Sequence, residues 1–261
     1  DAGSERDAGA EIRRGPRGLG ADAVIAAVRG AHMNAVVLDL KDAEGRVHYD
    51  SAIAELAEQR TGWLGDTAAL VETLHSNGIY TIARIVCFAD RALPERVPER
   101  AIRDVRQRRE VWVSWGTGGT WLDPYHAENQ RLVVALAREA AALGFDEIQL
   151  DYVRFPVDDG TQFARYPAET QETRPEVLLR LLRQVDEAVA IPIGVDVFGL
   201  AAYREGDPSG LGQDLEAWTV HVEVITPMLY VNSMREWRRD VLQNRAFRLV
   251  FDLTRRLRRR V

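Results

Sequence analysis

The chain reads as an α/β protein of the (β/α)8, TIM-barrel-like class, incomplete or divergent at both ends, and three observations point there. Helix-like and strand-like runs alternate along most of its length. Helix candidates end at a glycine that feeds straight into a strand, the grammar of a βα repeat. The most informative strand, in Gly144 to Pro156, carries Glu147, Gln149 and Asp151 on one face and Ile148 and Leu150 on the other. In a barrel the apolar set packs under outer helices, the polar set lines the interior, and Asp151 sits at the strand end where loops build active sites.

The elements follow in order. Ala21 to Arg29 has helical spacing through Val24, Ile25 and Val28, and Asn34 to Leu40 reads as a strand. Helix Thr67 to Asn77 stops at Gly78 before strand Ile79 to Phe88. Ala101 to Arg109 is expected to be helical. Val111 to Trp115 and Thr120 to Leu122 flank Gly116 to Gly119, giving either a hairpin or an open glycine loop. Helix Glu128 to Leu143 precedes strand Glu147 to Val153, and a polar connection, Asp158 to Arg174, leads to helix Pro175 to Ala190 with proline in its first turn. Strand Ile193 to Phe198, helix Gln213 to Thr219 and strand Val222 to Met228 come next. Helix Ser233 to Gln243, with Ser233 as N-cap, and strand Phe247 to Phe251 complete the series. That makes six strands, where a closed barrel needs eight.

At 261 residues and 46% hydrophobic content the chain can bury one large core. The expected organisation is a flexible lead-in over residues 1–20, a single barrel domain over 21–253 and a basic tail over 254–261. Asp1 is not an initiator residue, so upstream sequence is expected to have been removed. A net charge of −6 argues against nucleic acid as the main partner, and no run approaches the roughly 18 apolar residues needed to span a bilayer. The single cysteine, Cys87, excludes an intrachain disulfide and reads as a small core residue. His32, His48, His75, His126 and His221 form no zinc motif, and neither a phosphate loop, a dinucleotide fingerprint nor a Gly-x-Ser-x-Gly elbow occurs. No metal or other cofactor is called for, although carboxylates of this kind suit oxygen-ligand cations in general. Oligomeric state is left open.

Aligning strand ends gathers Asp39, Lys41 and Asp42 after the first strand, Arg84 within the second, Asp151 and Arg154 after the third, Asp196 after the fourth and Tyr230 after the fifth. Two carboxylates across a barrel mouth are what glycosidic cleavage requires: one protonates the leaving oxygen while the other attacks the sugar or activates water. An arginine beside one carboxylate favours its charged form, and burial of the other favours its acid form. Asp151 and Asp196 are the candidate catalytic pair, with Arg84 and Arg154 tuning or orienting them. The plainer alternative is that Asp151 pairs with Arg154 or Arg84 only to satisfy a buried charge. Glu147 and Gln149 either support Asp151 or hydrogen-bond within the barrel core. Lys41, the one lysine in the chain, and Asp39 are candidates for binding sugar hydroxyls. Trp121, Asp123 and Tyr125 form either a sugar-stacking wall or a cap on the barrel. Tyr230 shares the parity of Thr226 and Met228 and either reaches the pocket or packs in the core.

Several of these segments together resemble a known family: Asn34 to Asp42 with Gly45 and Tyr49, Tyr80 to Val86, Trp121 to Tyr125, Gly144 to Pro156, Gly194 to Gly199, and Thr226 to Tyr230. In this order, over Ala21 to Tyr230, they resemble the bacterial and archaeal family described as a "putative glycosyl hydrolase domain". The resemblance implies a barrel of the α-glycosidase-like superfamily, a nucleophilic carboxylate at the fourth barrel strand, which is Asp151 here, a carbohydrate substrate and an extracytoplasmic setting. The sequence departs from the family pattern twice: residues 1–20 offer no first barrel strand, and Val231 to Met234 stand where a Pro-Ser-His-Tyr-like stretch is usual. The alternative to a hydrolase is therefore a non-catalytic carbohydrate-binding or interaction module on the same scaffold.

Overall fold

A computed structural model describes residues 20–107, 110–115, 118–157, 159–199, 201, 207, 210–230, 245–259 and 261. Its centre is a parallel five-stranded sheet, β1 (Ala35–Lys41), β2 (Tyr80–Val86), β4 (Glu147–Asp151), β6 (Ile193–Phe198) and β7 (Val224–Met228), in that spatial order. A second sheet of two short strands, β3 (Arg103–Asp104) and β5 (Ala164–Arg165), is antiparallel.

The helices are α1 (Ala21–Gly30), α2 (Thr67–Ser76), α3 (Leu93–Arg96), α4 (Ala127–Ala142), α5 (Arg174–Asp186), α6 (Leu215–Trp218) and α7 (Arg245–Leu257). The starts of α2, α4, α5 and α6 follow from side chains that satisfy free backbone donors. Asp66 accepts from Ala69 N at 3.1 Å at the head of α2, and Thr173 with Glu176 makes a capping box on α5. Gly78 and Gly144, with φ of +70° and +91°, turn α2 and α4 into the following strands as expected, because glycine meets no Cβ clash there. Each helix buries one stripe, such as Val177, Leu178, Leu181, Leu182 and Val185 of α5. These stripes join Leu38, Leu40, Ala83, Ile85, Ile148, Leu150 and Val195 in one hydrophobic core.

The other sheet face is the one a closed barrel would turn inward. Among the described residues the barrel does not close, and β1 and β7 are the edges of the sheet. Val37, Tyr80 and Val224 are accordingly exposed on that face, Val37 at 47%.

Two expected elements are corrected. Ala101 to Arg109 is not a helix in its described part: Ile102 N–H donates to the Trp121 carbonyl at 3.0 Å, and Arg103 pairs with Arg165. Asp104 then accepts from Arg106 N and closes a tight turn, so cross-strand pairing and turn chemistry override a weak helical pattern. Phe247 to Phe251 is not a strand but lies inside α7, so five of the six expected strands are present in the main sheet. The helix expected over Ser233 to Gln243 lies outside the described residues, as do residues 1–19 of the lead-in. Of the two options at Gly116 to Gly119, the flanks form the hairpin, with Val113 bridged to Thr120 and Ser114 N bonded to the Gly119 carbonyl.

Candidate active site

Strand register assembles the site. Asp39, Arg84, Gln149 and Gly194 stand side by side on β1, β2, β4 and β6, a single row across four strands on the open face. One step towards the C-terminal rim on that face come Asp151 and Asp196, each one residue beyond the paired Leu150 and Val195. Neighbouring strands are about 4.8 Å apart, so the two carboxylates rise from adjacent positions of the same rim.

Arg84 bridges the row. Its Nη1 donates to Asp39 Oδ1 at 2.7 Å, while Nη2 and Nε donate to Asp151 Oδ2 at 2.5 and 3.2 Å. Burial works against the charged guanidinium, yet the bond to Asp39 and the charges of Asp151 and Asp39 outweigh it and raise its pKa. The other Asp151 oxygen accepts the Tyr152 N–H at 2.6 Å. Tyr152 reaches that position with φ +53°, left-handed backbone that a non-glycine residue rarely adopts and that costs on the order of 1 kcal/mol or more. Asp151 is thus a carboxylate only 4% exposed, with its charge matched by a guanidinium and both oxygens bonded.

Asp196 lives differently. It is 7% exposed and its Oδ1 accepts from Gln149 Nε2 at 2.7 Å. Burial pushes its carboxyl up to about 6, the negative charge of Asp151 adds to that, and the Gln149 bond and Arg84 pull the other way. One step lower on the same face, Glu147 is also raised, first by burial, against the hydrogen bond from Tyr80 and together with the charge of Glu223. Gly194 leaves the space this needs, since a Cβ there would stand 2.9 Å from Glu147 Oε1.

The loops above the rim are pinned to one another. Arg154 lies 4.9 Å over the Trp121 ring, 5.1 Å over Tyr152 and 5.5 Å over Phe198, joining the loops after β2 and β4 to the end of β6 by cation–π contacts. Gln213 accepts from Phe198 N at 2.9 Å and donates to the Val153 carbonyl at 3.2 Å.

Direct bonds therefore connect Asp39, Arg84 and Asp151, and Gln149 with Asp196, while Glu147, Trp121 and Arg154 border them. The remaining candidates sit elsewhere. Lys41 is sealed in an ion pair with Asp90, Nζ to Oδ2 2.8 Å, and also donates to the Val86 carbonyl. Asp123 accepts from Tyr125 N and Ala168 N in a buried turn, and burial pushes its carboxyl up to about 6. Tyr125 packs edge-on against Phe155 and Tyr166. Tyr230 is 64% exposed. Cys87, buried as expected, hangs from the Asp151 carbonyl through its own N–H at 2.9 Å. Sequence reasoning missed Tyr152 and Gln213: a positive φ at tyrosine has no sequence signature, and Gln213 resembled the start of a helix.

Among the described residues no three His, Cys, Asp or Glu side chains are grouped to hold a metal ion, and no helix is long and apolar enough to cross a membrane. Residues 17–249 match the family described as "putative glycosyl hydrolase domain". The crystal structure of a hypothetical protein from Ruminiclostridium thermocellum ATCC 27405 is 30% identical, with a TM-score of 0.59 over 68% of this chain and 90% of that one. The PgaB (BpsB) glycoside hydrolase domain from Bordetella bronchiseptica shares the fold at 13% identity, with a TM-score of 0.61 over 92% of this chain and 74% of that one. Alpha-L-fucosidase isoenzyme 2 from Paenibacillus thiaminolyticus shares it at 17% identity, with a TM-score of 0.52 over 76% of this chain and 32% of that one. No curated protein sequence matches the chain.

Proposed function

Since the chain belongs to the family described as a "putative glycosyl hydrolase domain", we propose that it cleaves glycosidic bonds in a poly- or oligosaccharide, with Asp151 as nucleophile or base and Asp196 as acid. The observation that carries this reading is the contrast between two neighbouring carboxyl groups. Asp151 has its negative charge matched by Arg84, whereas Asp196 is pushed up to about 6 and holds its proton in mildly acidic water.

That contrast supplies both halves of the reaction. The Asp196 proton passes to the leaving glycosidic oxygen as the bond from that oxygen to the anomeric carbon breaks. Asp151 either bonds the anomeric carbon, in an ester that water then cleaves as the Asp196 carboxylate takes the water's proton, or itself takes a proton from the water that bonds that carbon. Arg84 orients Asp151 by two donors on one oxygen, and the Tyr152 N–H fixes the other. Arg154, stacked on the buried Trp121, holds the loop that follows Asp151, and Asp39 offers a half-exposed carboxylate to a sugar hydroxyl. An extracytoplasmic setting belongs to the same reading.

Replacing Asp151 with Asn tests it. Turnover on a glycan panel falls by at least about a thousandfold, since an amide can neither attack nor act as a base, while folding and sugar binding persist. Unchanged turnover removes Asp151 from the chemistry. A second reading, a carbohydrate-binding module without catalysis, is favoured by the depth of Asp151 and its capture between Arg84 and the Tyr152 amide. It requires saturable glycan binding with no product released by the wild type.

A further inference from the structure

The loops that leave β2 and β4, the strands bearing Arg84 and Asp151, fold together into a small antiparallel cap. Arg103 pairs with Arg165 across β3 and β5, Val111 bridges Arg103, and Val113 bridges Thr120. Residues directly opposite on an antiparallel ladder send their side chains to one face, so Arg103 and Arg165 stand on the same side of the ladder. With Asp104, Val105 and Pro167 they line an open cleft of about 390 Å³.

The surroundings suit an anionic ligand. The Asp104 carboxylate is engaged by Arg106, Nε at 2.9 Å and Nη2 at 2.5 Å. The Arg106 guanidinium lies 4.2 Å over Phe163 and 5.4 Å over Trp115. Trp115 is 55% exposed and its indole is seated close on Gly160, where an added Cβ would stand 2.9 Å from the ring. In a chain of net charge −6, Arg103 to Arg109 carries four arginines, of which Arg108 and Arg109 lie outside the described residues. The cap is also continuous with the rim: Tyr152 follows Asp151, its ring packs 5.5 Å from Trp121, and the Trp121 carbonyl binds Ile102, next to Arg103.

We propose that this cleft is an acidic-sugar subsite, in which Arg103 and Arg165 bind the carboxylate or sulfate group of a glycan while Trp115 offers a flat apolar face to an adjoining ring. The proposal takes its ligand class from the glycoside hydrolase reading and narrows it to polyanionic glycans.

Calorimetric titration of the full chain tests it with a galacturonate hexamer, a chondroitin sulfate hexasaccharide, a neutral cello-hexamer and a single-stranded oligonucleotide. At least one acidic hexamer binds tenfold or more tightly than the neutral one, and which of the two does so distinguishes carboxylate from sulfate. Arg165→Gln, an exposed position, abolishes that preference and leaves neutral binding within twofold; Trp115→Ala weakens acidic and neutral hexamers alike. Equal affinity for acidic and neutral hexamers, absence of acidic binding, an unaffected Arg165→Gln variant, or an oligonucleotide bound as tightly as the acidic hexamers each overturns the proposal. The two readings fail separately. Acidic hexamers bound through Arg165 by both wild type and Asp151→Asn, yet never cleaved by the wild type, leave the subsite and remove the hydrolase. Cleavage of the neutral hexamer through Asp151, indifferent to Arg165→Gln, does the reverse.

Discussion

Asp151→Asn should lower the pKa of Asp196, and the size of the change measures whether the two carboxyl groups act as a pair. Asp196 rises from 3.8 to about 6, so roughly 3 kcal/mol opposes its ionisation in the folded protein. Burial is the larger cause and the Asp151 charge the second. Coulomb's law bounds the Asp151 share: two unit charges about 6 Å apart at an effective dielectric of about 20 repel by about 3 kcal/mol. Because burial contributes more than Asp151, the midpoint falls by less than that bound allows. Asparagine preserves the shape and removes only the charge, while Arg84 remains to favour the Asp196 anion. Carboxyl carbon NMR titration reads the midpoint directly, with Asp196→Asn identifying the signal. A midpoint that stays within a few tenths of a unit, or rises, would show that Asp151 does not hold the Asp196 proton and would dismantle the proposed division of labour.

Four further outcomes follow from the same geometry. If Asp196 is the acid, kcat/KM declines as pH rises through about 6, approaching tenfold per unit beyond it; a flat profile to pH 8 excludes it. The raised pKa also makes Asp196 a pH-linked cost: its share of stability is complete below 3.8 and is lost as pH climbs through about 6, so the urea-unfolding advantage of wild type over Asp196→Asn shrinks by up to about 3 kcal/mol between pH 3.5 and 7, and a constant difference refutes this. Arg84→Gln strands Asp151 without its counter-charge and lowers unfolding free energy by about 2 to 4 kcal/mol, below the full buried-pair figure because Arg84 is partly exposed; a loss under about 0.5 kcal/mol would mean the pair is idle. Gly45→Ala places a Cβ 2.3 Å from Asp90 Oδ1 at φ +80°, disturbs the sealed Lys41–Asp90 pair and costs about 3 kcal/mol or more, whereas a wild-type melting temperature would show that the loop yields freely.

What could be read from the chain divides along the range of the interactions. β4 announced itself because packing on one side and polarity on the other write an alternation directly into Glu147, Ile148, Gln149, Leu150 and Asp151. Asp39, Arg84 and Asp196 stood out strand by strand for the same reason, since each is a charged residue set inside an apolar run. Partner choice left no such trace. Nothing near Lys41 reveals that its ammonium turns to Asp90 on the following loop, and nothing in Trp121 reveals that its ring meets Tyr152 and Arg154 rather than solvent. Local pattern even misled at Ala101 to Arg109, where a partner strand from beyond β4 imposes extension, and at Phe247 to Phe251, whose apolar residues serve a helix. The proposed division of roles between Asp151 and Asp196 belongs to this nonlocal class. It depends on the register that sets Gln149 opposite Gly194, so that the amide reaches Asp196 and the two acids share a rim. Sliding β6 by one residue would turn Asp196 towards the helices and bring Val195 or Val197 to the rim, with every local propensity unchanged. The acid of the proposed pair is therefore specified less by its own neighbourhood than by the fit of β6 against β4, where glycine at position 194 leaves the space into which Glu147 reaches and a Cβ would push its carboxylate aside.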